Sequence, residues 1–270
     1  MDVTSVLQVT HNARGLGGLP ISGGGQLASG LLFRSDALGA LTHDGRRALA
    51  SLGIGTVIDL RTDAERARSA DRLPEDGSVT LLELPMQGGA MDEMVKRMMP
   101  AAGRSGMSVT QVAELLQHVP TLEDLYVAIL EGSSAQFATI ARTVLAASRT
   151  DRPGVLIHCT AGKDRTGLAS ALLLLLAEVP RDAVVADYTQ TETNLARGFA
   201  EALTGLITAL GIPLTPELDT LATKAPASAI ETAMDWIATH HGDVAGYLRH
   251  GGLTDEEIAE LRRVLRGEDA

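Results

Sequence analysis

The feature that most constrains the fold is an apolar strand followed, after a short loop, by a helix with no polar face. Residues Gly154–His158 are mostly apolar and branched and follow a turn signal at Pro153, which predicts a buried parallel strand. The run Leu168–Val179 is apolar on every side, which predicts a buried helix beginning near Thr166. It is too short to cross a bilayer. These elements favour an α/β fold with a central, mostly parallel sheet flanked by helices.

The rest of the chain extends this pattern into one domain over residues 1–270. With 45% hydrophobic residues the chain can bury a large core, and apolar strands alternate with helical patterns. The glycine-rich stretch from Pro20 to Gly30 predicts a hairpin or turn. Strands are predicted at Leu31–Phe33, Ile54–Ile58 and Val79–Leu84, and helices at Thr42–Leu52, Ser134–Ala147, Pro180–Thr193, Leu195–Leu210, Pro226–His240 and Thr254–Arg266.

One segment interrupts this alternation. Residues Met86–Glu131 contain six of the eight methionines, together with several glycines. Flexible thioether side chains and glycine hinges are typical of a mobile cover, although methionines also fill gaps in ordinary helical subdomains. The range is therefore expected to be a helical insertion, either a lid or part of the core.

The loop between the strand and the apolar helix holds Cys159, the only cysteine of the chain. A strand, a short loop and a helix gather the backbone N–H groups of residues 160 to 165 at the positive end of the helix dipole. That field attracts an anion and favours the thiolate, the nucleophilic form of cysteine. The expected phosphate-binding residues are Thr160, Ala161, Gly162, Lys163, Asp164, Arg165 and Thr166.

Individual roles follow from residue type. The planar guanidinium of Arg165 can hold two phosphoryl oxygens while charge redistributes in the transition state. The hydroxyl of Thr166 can donate to the sulfur when it becomes a leaving group. His158 is expected to support the loop by hydrogen bonding, and Lys163 is expected to place a second cation at the pocket rim.

The Cys159–Arg165 spacing resembles the Cys-x5-Arg signature of protein tyrosine and dual-specificity phosphatases. The ending Gly162–Gly167 is similar to the bacterial branch that contains mycobacterial protein tyrosine phosphatase B, as are the blocks Asn12–Pro20, Leu31–Asp36 and Val57–Arg61. The resemblance implies a tyrosine-phosphatase-like fold with a helical C-terminal part. It also implies phosphomonoester hydrolysis through a phosphocysteine, without a metal or other cofactor.

Two aspartates compete for the role of proton donor. The Trp-Pro-Asp acid loop of eukaryotic tyrosine phosphatases is absent, since Trp236 is followed by Ile237. Asp59 closes a predicted strand at the edge where α/β sheets bind ligands, but it can equally pair with Arg61. Asp164 lies in the loop itself, and its resemblance to the loop aspartate of the bacterial branch favours it.

The expected partners are a phosphorylated protein or a phosphoinositide, with inorganic phosphate as product and inhibitor. The net charge of −11 and the lack of a Lys/Arg run argue against nucleic acid and against an anionic membrane surface. Residues 1–8 have no basic or apolar signal region, so a cytoplasmic location is the default, with secretion by another route left open.

Other functions use related loops. A phosphoinositide or small-molecule phosphatase would need the same cradle, and a rhodanese-like sulfurtransferase also has a cysteine in an anion-binding loop. The Arg165-Thr166-Gly167 ending favours phosphate over thiosulfate. A silent phosphate-binding module would be expected to have lost Cys159 or Arg165, and both are present.

Overall fold

A computed structural model describes residues 3, 7, 9–87, 120–196, 198–209 and 214–268 of the chain. Its centre is a sheet of five strands in the order β1-β2-β5-β3-β4. Strands β2, β5, β3 and β4 are parallel, and β1 pairs antiparallel to β2. The strands are β1 Arg14–Gly15, β2 Leu32–Ser35, β3 Ile54–Asp59, β4 Thr80–Glu83 and β5 Gly154–His158.

Helices cover both faces of this sheet. The described residues form α1 His43–Ser51, α2 Asp63–Arg68, α3 Leu122–Gly132, α4 Ser134–Ala147, α5 Asp164–Leu176, α6 Arg181–Leu195, α7 Phe199–Ala209, α8 Pro216–Thr223, α9 Ala227–His241, α10 Val244–His250 and α11 Asp255–Leu265.

The core is divided by the alternating side chains of the strands. On one face Val155 and Ile157 pack against the helical layer around α5, and on the other Leu156 packs beneath α1. Helix α5 contacts β2 and β5 as well as α3, α4, α6, α9 and α10. Its surroundings explain why it has no polar face, and they confirm the expected α/β class with a mostly parallel sheet.

The sheet register sets the position of the site. Ser35 of β2 and Asp59 of β3 both lie opposite His158 of β5. Because parallel strands end at the same edge, the segments that follow these residues meet above the sheet. Cys159 therefore emerges at the centre of that edge.

Most predicted elements are confirmed, with small shifts at their ends. Helix α5 begins at Asp164 instead of near Thr166, because the loop is shorter than the apolar pattern alone indicates. An isolated bridge between Pro20 and Gln26 closes the predicted turn. The short helices α2, α8 and α10 were not foreseen.

The insertion is described only at its ends. Residues 88–119 lie outside the described residues, so the expected lid stays a prediction for that range. From Leu122 onward the segment is α3, whose side chains Leu125, Tyr126 and Ile129 are buried; this part belongs to the core. No helix in the described ranges combines the length and apolar character needed to span a bilayer.

Candidate active site

Cys159 follows the last residue of the central strand and is buried, with 2% of its surface exposed. Residues 159–165 form what we call the cysteine loop, whose last two residues begin α5. The nucleophile predicted from the sequence therefore lies at the amino end of the most deeply buried helix.

The carbonyl groups of the cysteine loop are bound from outside. The oxygen of Thr160 accepts a hydrogen bond from the Ala37 amide at 3.1 Å. The Asn12 Nδ2 group donates to the carbonyls of Ala161 and Gly162 at 3.1 and 3.0 Å. Since these oxygens are held by donors behind the loop, the N–H groups are left to face the other way.

Within the described residues, none of the backbone N–H groups of residues 160–166 donates to a protein acceptor in the hydrogen bonds found. The Arg165 Nε and Thr166 Oγ1 atoms are likewise buried without a hydrogen-bond partner. Unpaired buried donors are costly in a folded protein, so their concentration around one loop indicates a place prepared for an anion.

Gly162 is required by the loop's geometry. Its φ is +64°, and a Cβ added there would lie 2.3 Å from the carbonyl oxygen of Ser35. Both the left-handed backbone and the close approach to β2 exclude larger residues.

A buried ion cluster braces the loop from the side of β1 and β2. Asp187 of α6 accepts from Arg14 Nε at 2.7 Å and from Arg34 Nη1 at 2.6 Å. Arg34 Nη2 in turn donates to the Gly162 carbonyl at 2.6 Å. Burial raises the pKa of Asp187, but the two guanidinium groups outweigh it and hold the pKa below its ordinary value.

Asn12 is fixed by a second carboxylate. Asp36, at the end of β2, accepts hydrogen bonds from the backbone amides of His11 and Asn12 at 3.0 and 2.9 Å. Burial raises the pKa of Asp36. The two N-terminal blocks that resemble the family thus meet behind the cysteine loop, where they hold its backbone.

Glu65 of α2 binds the guanidinium of Arg165 with both carboxylate oxygens, at 2.8 Å from Nη1 and 2.7 Å from Nη2. The same carboxylate accepts from Thr160 Oγ1 at 2.5 Å and completes a capping box with Thr62. Burial raises the pKa of Glu65, yet Arg165 outweighs this effect and lowers the pKa to about 2. Glu65 is therefore an ionised clamp on the arginine.

Asp59 does not have the surroundings of a proton donor. It is fully buried, and its two oxygens accept from the Nε and Nη2 groups of Arg61, each at 2.9 Å. Of the two roles that the sequence left open for Asp59, proton donor or partner of Arg61, the pairing with Arg61 is the one observed.

The Asp59–Arg61 ion pair is linked to His158 through Asp71. Arg61 also donates to Asp71 at 2.8 Å, and the other Asp71 oxygen lies 2.9 Å from His158 Nε2. Burial raises the pKa of Asp71, but His158 outweighs it and the pKa is lowered. One atom each of Asp59, Asp71 and His158 lie within 4.8 Å of one another; a metal could bridge such a group, but the guanidinium already supplies the cation.

Asp164 is the first residue of α5, and Lys163 directly precedes it. The Asp164 carboxylate accepts from the hydroxyl of Tyr126 at 2.9 Å. Lys163 is only 2% exposed, and its ammonium donates to the carbonyl of Leu221 at 2.7 Å. The expectation of a cation at the rim is corrected, because the lysine side chain turns inward to the end of α8.

Sequence reasoning missed Glu65, Asp71 and Asp187. For Glu65 a signal existed, because Thr62-x-x-Glu65 is a capping-box pattern directly after a predicted strand. Asp187 lies in a helix of mixed character, and nothing local marks it as the partner of Arg14 and Arg34.

The sequence matches the tyrosine phosphatase family over residues 5–267. It is 31% identical to the triple specificity protein phosphatase PtpB of Mycobacterium tuberculosis, with 89% of this chain and 92% of that protein covered. It is 36% identical to a tyrosine-protein phosphatase of Nostoc commune, over 57% of this chain and 46% of the relative.

Among solved structures, TpbA of P. aeruginosa matches with a TM-score of 0.35 and 17% identity, covering 83% of this chain and 88% of TpbA. The family match extends over nearly the whole chain and includes every block noted in the sequence. The chain therefore belongs to the tyrosine phosphatase family.

Proposed function

We propose that the protein hydrolyses phosphomonoesters through a phosphocysteine on Cys159, with Arg165 binding the phosphoryl oxygens and Asp164 as proton donor. The observation that carries the proposal is the polarity of the cysteine loop. Its carbonyls are bound from behind, while its N–H groups, Arg165 Nε and Thr166 Oγ1 have no protein acceptor among the described residues. Such an arrangement stabilises a tetrahedral dianion beside the sulfur.

In the first step the thiolate attacks phosphorus, the bond to the leaving oxygen breaks, and protonated Asp164 supplies the proton to that oxygen. In the second step water attacks phosphorus, its proton passes to the Asp164 carboxylate, and the S–P bond breaks. Thr166 donates to the sulfur as it leaves. Inorganic phosphate is the product and competes for the same donors.

The arrangement favours a phosphorylated protein, with phosphotyrosine first, over a multiply phosphorylated inositol lipid. A second phosphate would need a second cation at the rim, and Lys163, the cation that the sequence offered among the described residues, donates to Leu221 instead. The family match and the relatives named as tyrosine-protein and triple specificity phosphatases agree with a protein substrate. Phosphoinositide hydrolysis is the second candidate, since the loop itself accepts any monoester.

The direct test is hydrolysis of p-nitrophenyl phosphate by wild type, Cys159→Ser and Arg165→Lys in the presence of a chelator. We expect wild-type turnover to be retained and both variants to lose at least about a hundredfold in kcat. Turnover by Cys159→Ser at the wild-type rate would refute the phosphocysteine.

A parallel screen then separates substrate classes. Wild type is assayed with a phosphotyrosine peptide, a phosphoserine or phosphothreonine peptide, a phosphoinositide and a sugar phosphate. The highest kcat/KM is expected for phosphotyrosine, and a preference for the phosphoinositide would reverse the assignment. Thiosulfate turnover without phosphatase activity would instead indicate a sulfurtransferase.

A further inference from the structure

The side chain of Asp164 is bound by one buried tyrosine, which is bound in turn by a second buried tyrosine from another helix. Tyr126 of α3 places its hydroxyl 2.9 Å from Asp164 Oδ1. Tyr188 of α6 places its hydroxyl 2.7 Å from that of Tyr126. The rings meet edge to face, with centroids 6.0 Å apart. Together they form a line of hydroxyl groups that ends on the carboxylate.

The direction of this line follows from counting protons. Burial raises the pKa of both phenols above the ordinary value, so each keeps its single proton at neutral pH. Tyr126 gives its proton to Asp164 Oδ1 and can then only accept from Tyr188. The order of donation is therefore Tyr188 to Tyr126 to Asp164, and each bond polarises the next.

This arrangement makes the two carboxyl oxygens of Asp164 different. Oδ1 accepts from Tyr126 and lies 3.6 Å from the Lys163 ammonium. Within the described part of the chain, Oδ2 has no hydrogen-bond partner, and it is not cut off from solvent. A proton carried by Asp164 therefore belongs on Oδ2, the oxygen left free to meet a leaving group.

The fold makes room for this line at a specific position. A Cβ on Gly167 would lie 3.1 Å from the ring of Tyr188, tighter than ordinary packing. Gly167 is one turn along α5 from Asp164, so a larger residue there would push Tyr188 away from Tyr126. The second glycine of the sequence motif thus gives the tyrosine access to the loop.

We propose that Tyr126 and Tyr188 are positioning residues for the proton donor: they fix Asp164 so that Oδ2 delivers its proton to the departing oxygen. The inference rests on the proposed function, in which Asp164 is the acid. Removing the Tyr126 hydroxyl leaves the nucleophile and Arg165 in place but lets the carboxyl group rotate. The rate of cleavage then falls for substrates whose leaving group needs a proton, and not for substrates whose leaving group departs as a stable anion.

The test compares aryl phosphates whose leaving groups differ in basicity. For Tyr126→Phe, kcat/KM on phenyl phosphate should fall about tenfold or more, while kcat/KM on 2,4-dinitrophenyl phosphate should change by less than about twofold, because kcat/KM reports the step in which the leaving group departs. Tyr188→Phe should show the same pattern, more weakly, because it acts through Tyr126. In an Asp164→Asn background, Tyr126→Phe should cause no further loss, since a residue that works through the acid has nothing left to position.

Tyr247→Phe is the matched control. Tyr247 is also buried in the helical layer, but its hydroxyl donates to the Leu130 carbonyl at 2.7 Å, away from the loop. This variant should lose comparable stability in a thermal melt and keep the wild-type dependence on leaving group. If Tyr126→Phe matched this control, or lowered kcat/KM equally on both substrates, its role would be structural only and the inference would be overturned.

Failure of the proposed function has a different signature. A wild type that does not hydrolyse 2,4-dinitrophenyl phosphate, or a Cys159→Ser variant that does so normally, removes the phosphatase chemistry itself. An active wild type whose Asp164→Asn variant keeps the wild-type dependence on leaving group leaves that chemistry intact but overturns the positioning of Asp164.

Discussion

The clamp between Glu65 and Arg165 predicts how the protein responds to acid. In the native state the Glu65 pKa lies at about 2, against an ordinary value of 4.5. Lowering the pKa by this amount corresponds to about 3 kcal/mol of folding free energy at neutral pH. The side chain is 11% exposed, so solvent screening makes this figure an upper value.

The sign follows from which state binds the proton more tightly. Because the native pKa is the lower one, the unfolded state takes up the proton first as pH falls. The Glu65 contribution is therefore complete above the ordinary pKa of 4.5 and is lost as the pH approaches about 2. Glu65→Gln removes the charge, so this part of the acid sensitivity should disappear.

The assay is urea unfolding of wild type and Glu65→Gln at about pH 7 and about pH 3, followed by far-UV circular dichroism. We expect wild type to be more stable by up to about 3 kcal/mol at the higher pH, and the gap to shrink by about half or more at the lower one. Other acidic groups titrate in both proteins and cancel from the difference.

Glu75→Gln controls for the loss of one negative charge, since Glu75 is 91% exposed and its ion pair with Arg46, at 3.4 Å, is a surface pair. It should leave the unfolding free energy unchanged at both pH values. A Glu65→Gln protein as stable as wild type at neutral pH, or a gap that does not vary with pH, would refute the reasoning.

Three other substitutions test the supports of the loop. Asp187→Asn leaves two buried guanidinium groups without their shared anion and should cost about 3–5 kcal/mol in urea unfolding. Gly162→Ala should lower kcat/KM on p-nitrophenyl phosphate about a hundredfold through its clash with the end of β2, whereas Gly77→Ala, with φ of +72° and open space, should cost stability alone. Lys163→Met should lower the free energy of unfolding by about 1–3 kcal/mol, because the Leu221 carbonyl loses its donor. KM for p-nitrophenyl phosphate should be unchanged, and a large rise in KM would mean that the ammonium contacts the phosphate.

The sequence alone determined the central part of the molecule. The apolar strand Gly154–His158 and the helix without a polar face can exist only in an interior, which fixed the α/β class. The position of Cys159 and Arg165 between the strand and the helix predicted where the cysteine loop lies, since strand, loop and helix are local structure. Patterns among neighbouring residues can be predicted from the sequence because their geometry depends on few backbone dihedral angles.

Only the tertiary structure decided what surrounds that loop. Glu65 and Asp187 lie 100 positions before Arg165 and 153 positions after Arg34, the residues that they bind. Asp59 was ambiguous in sequence because a carboxylate at a strand end serves a ligand or an ion pair equally well, and the position of Arg61 resolved it. The residue type of Lys163 suggested a cation at the pocket rim, but its ammonium donates to the buried carbonyl of Leu221 in α8. Ion pairs form between groups that are close in space, and the packing of the whole core sets which remote segments come close.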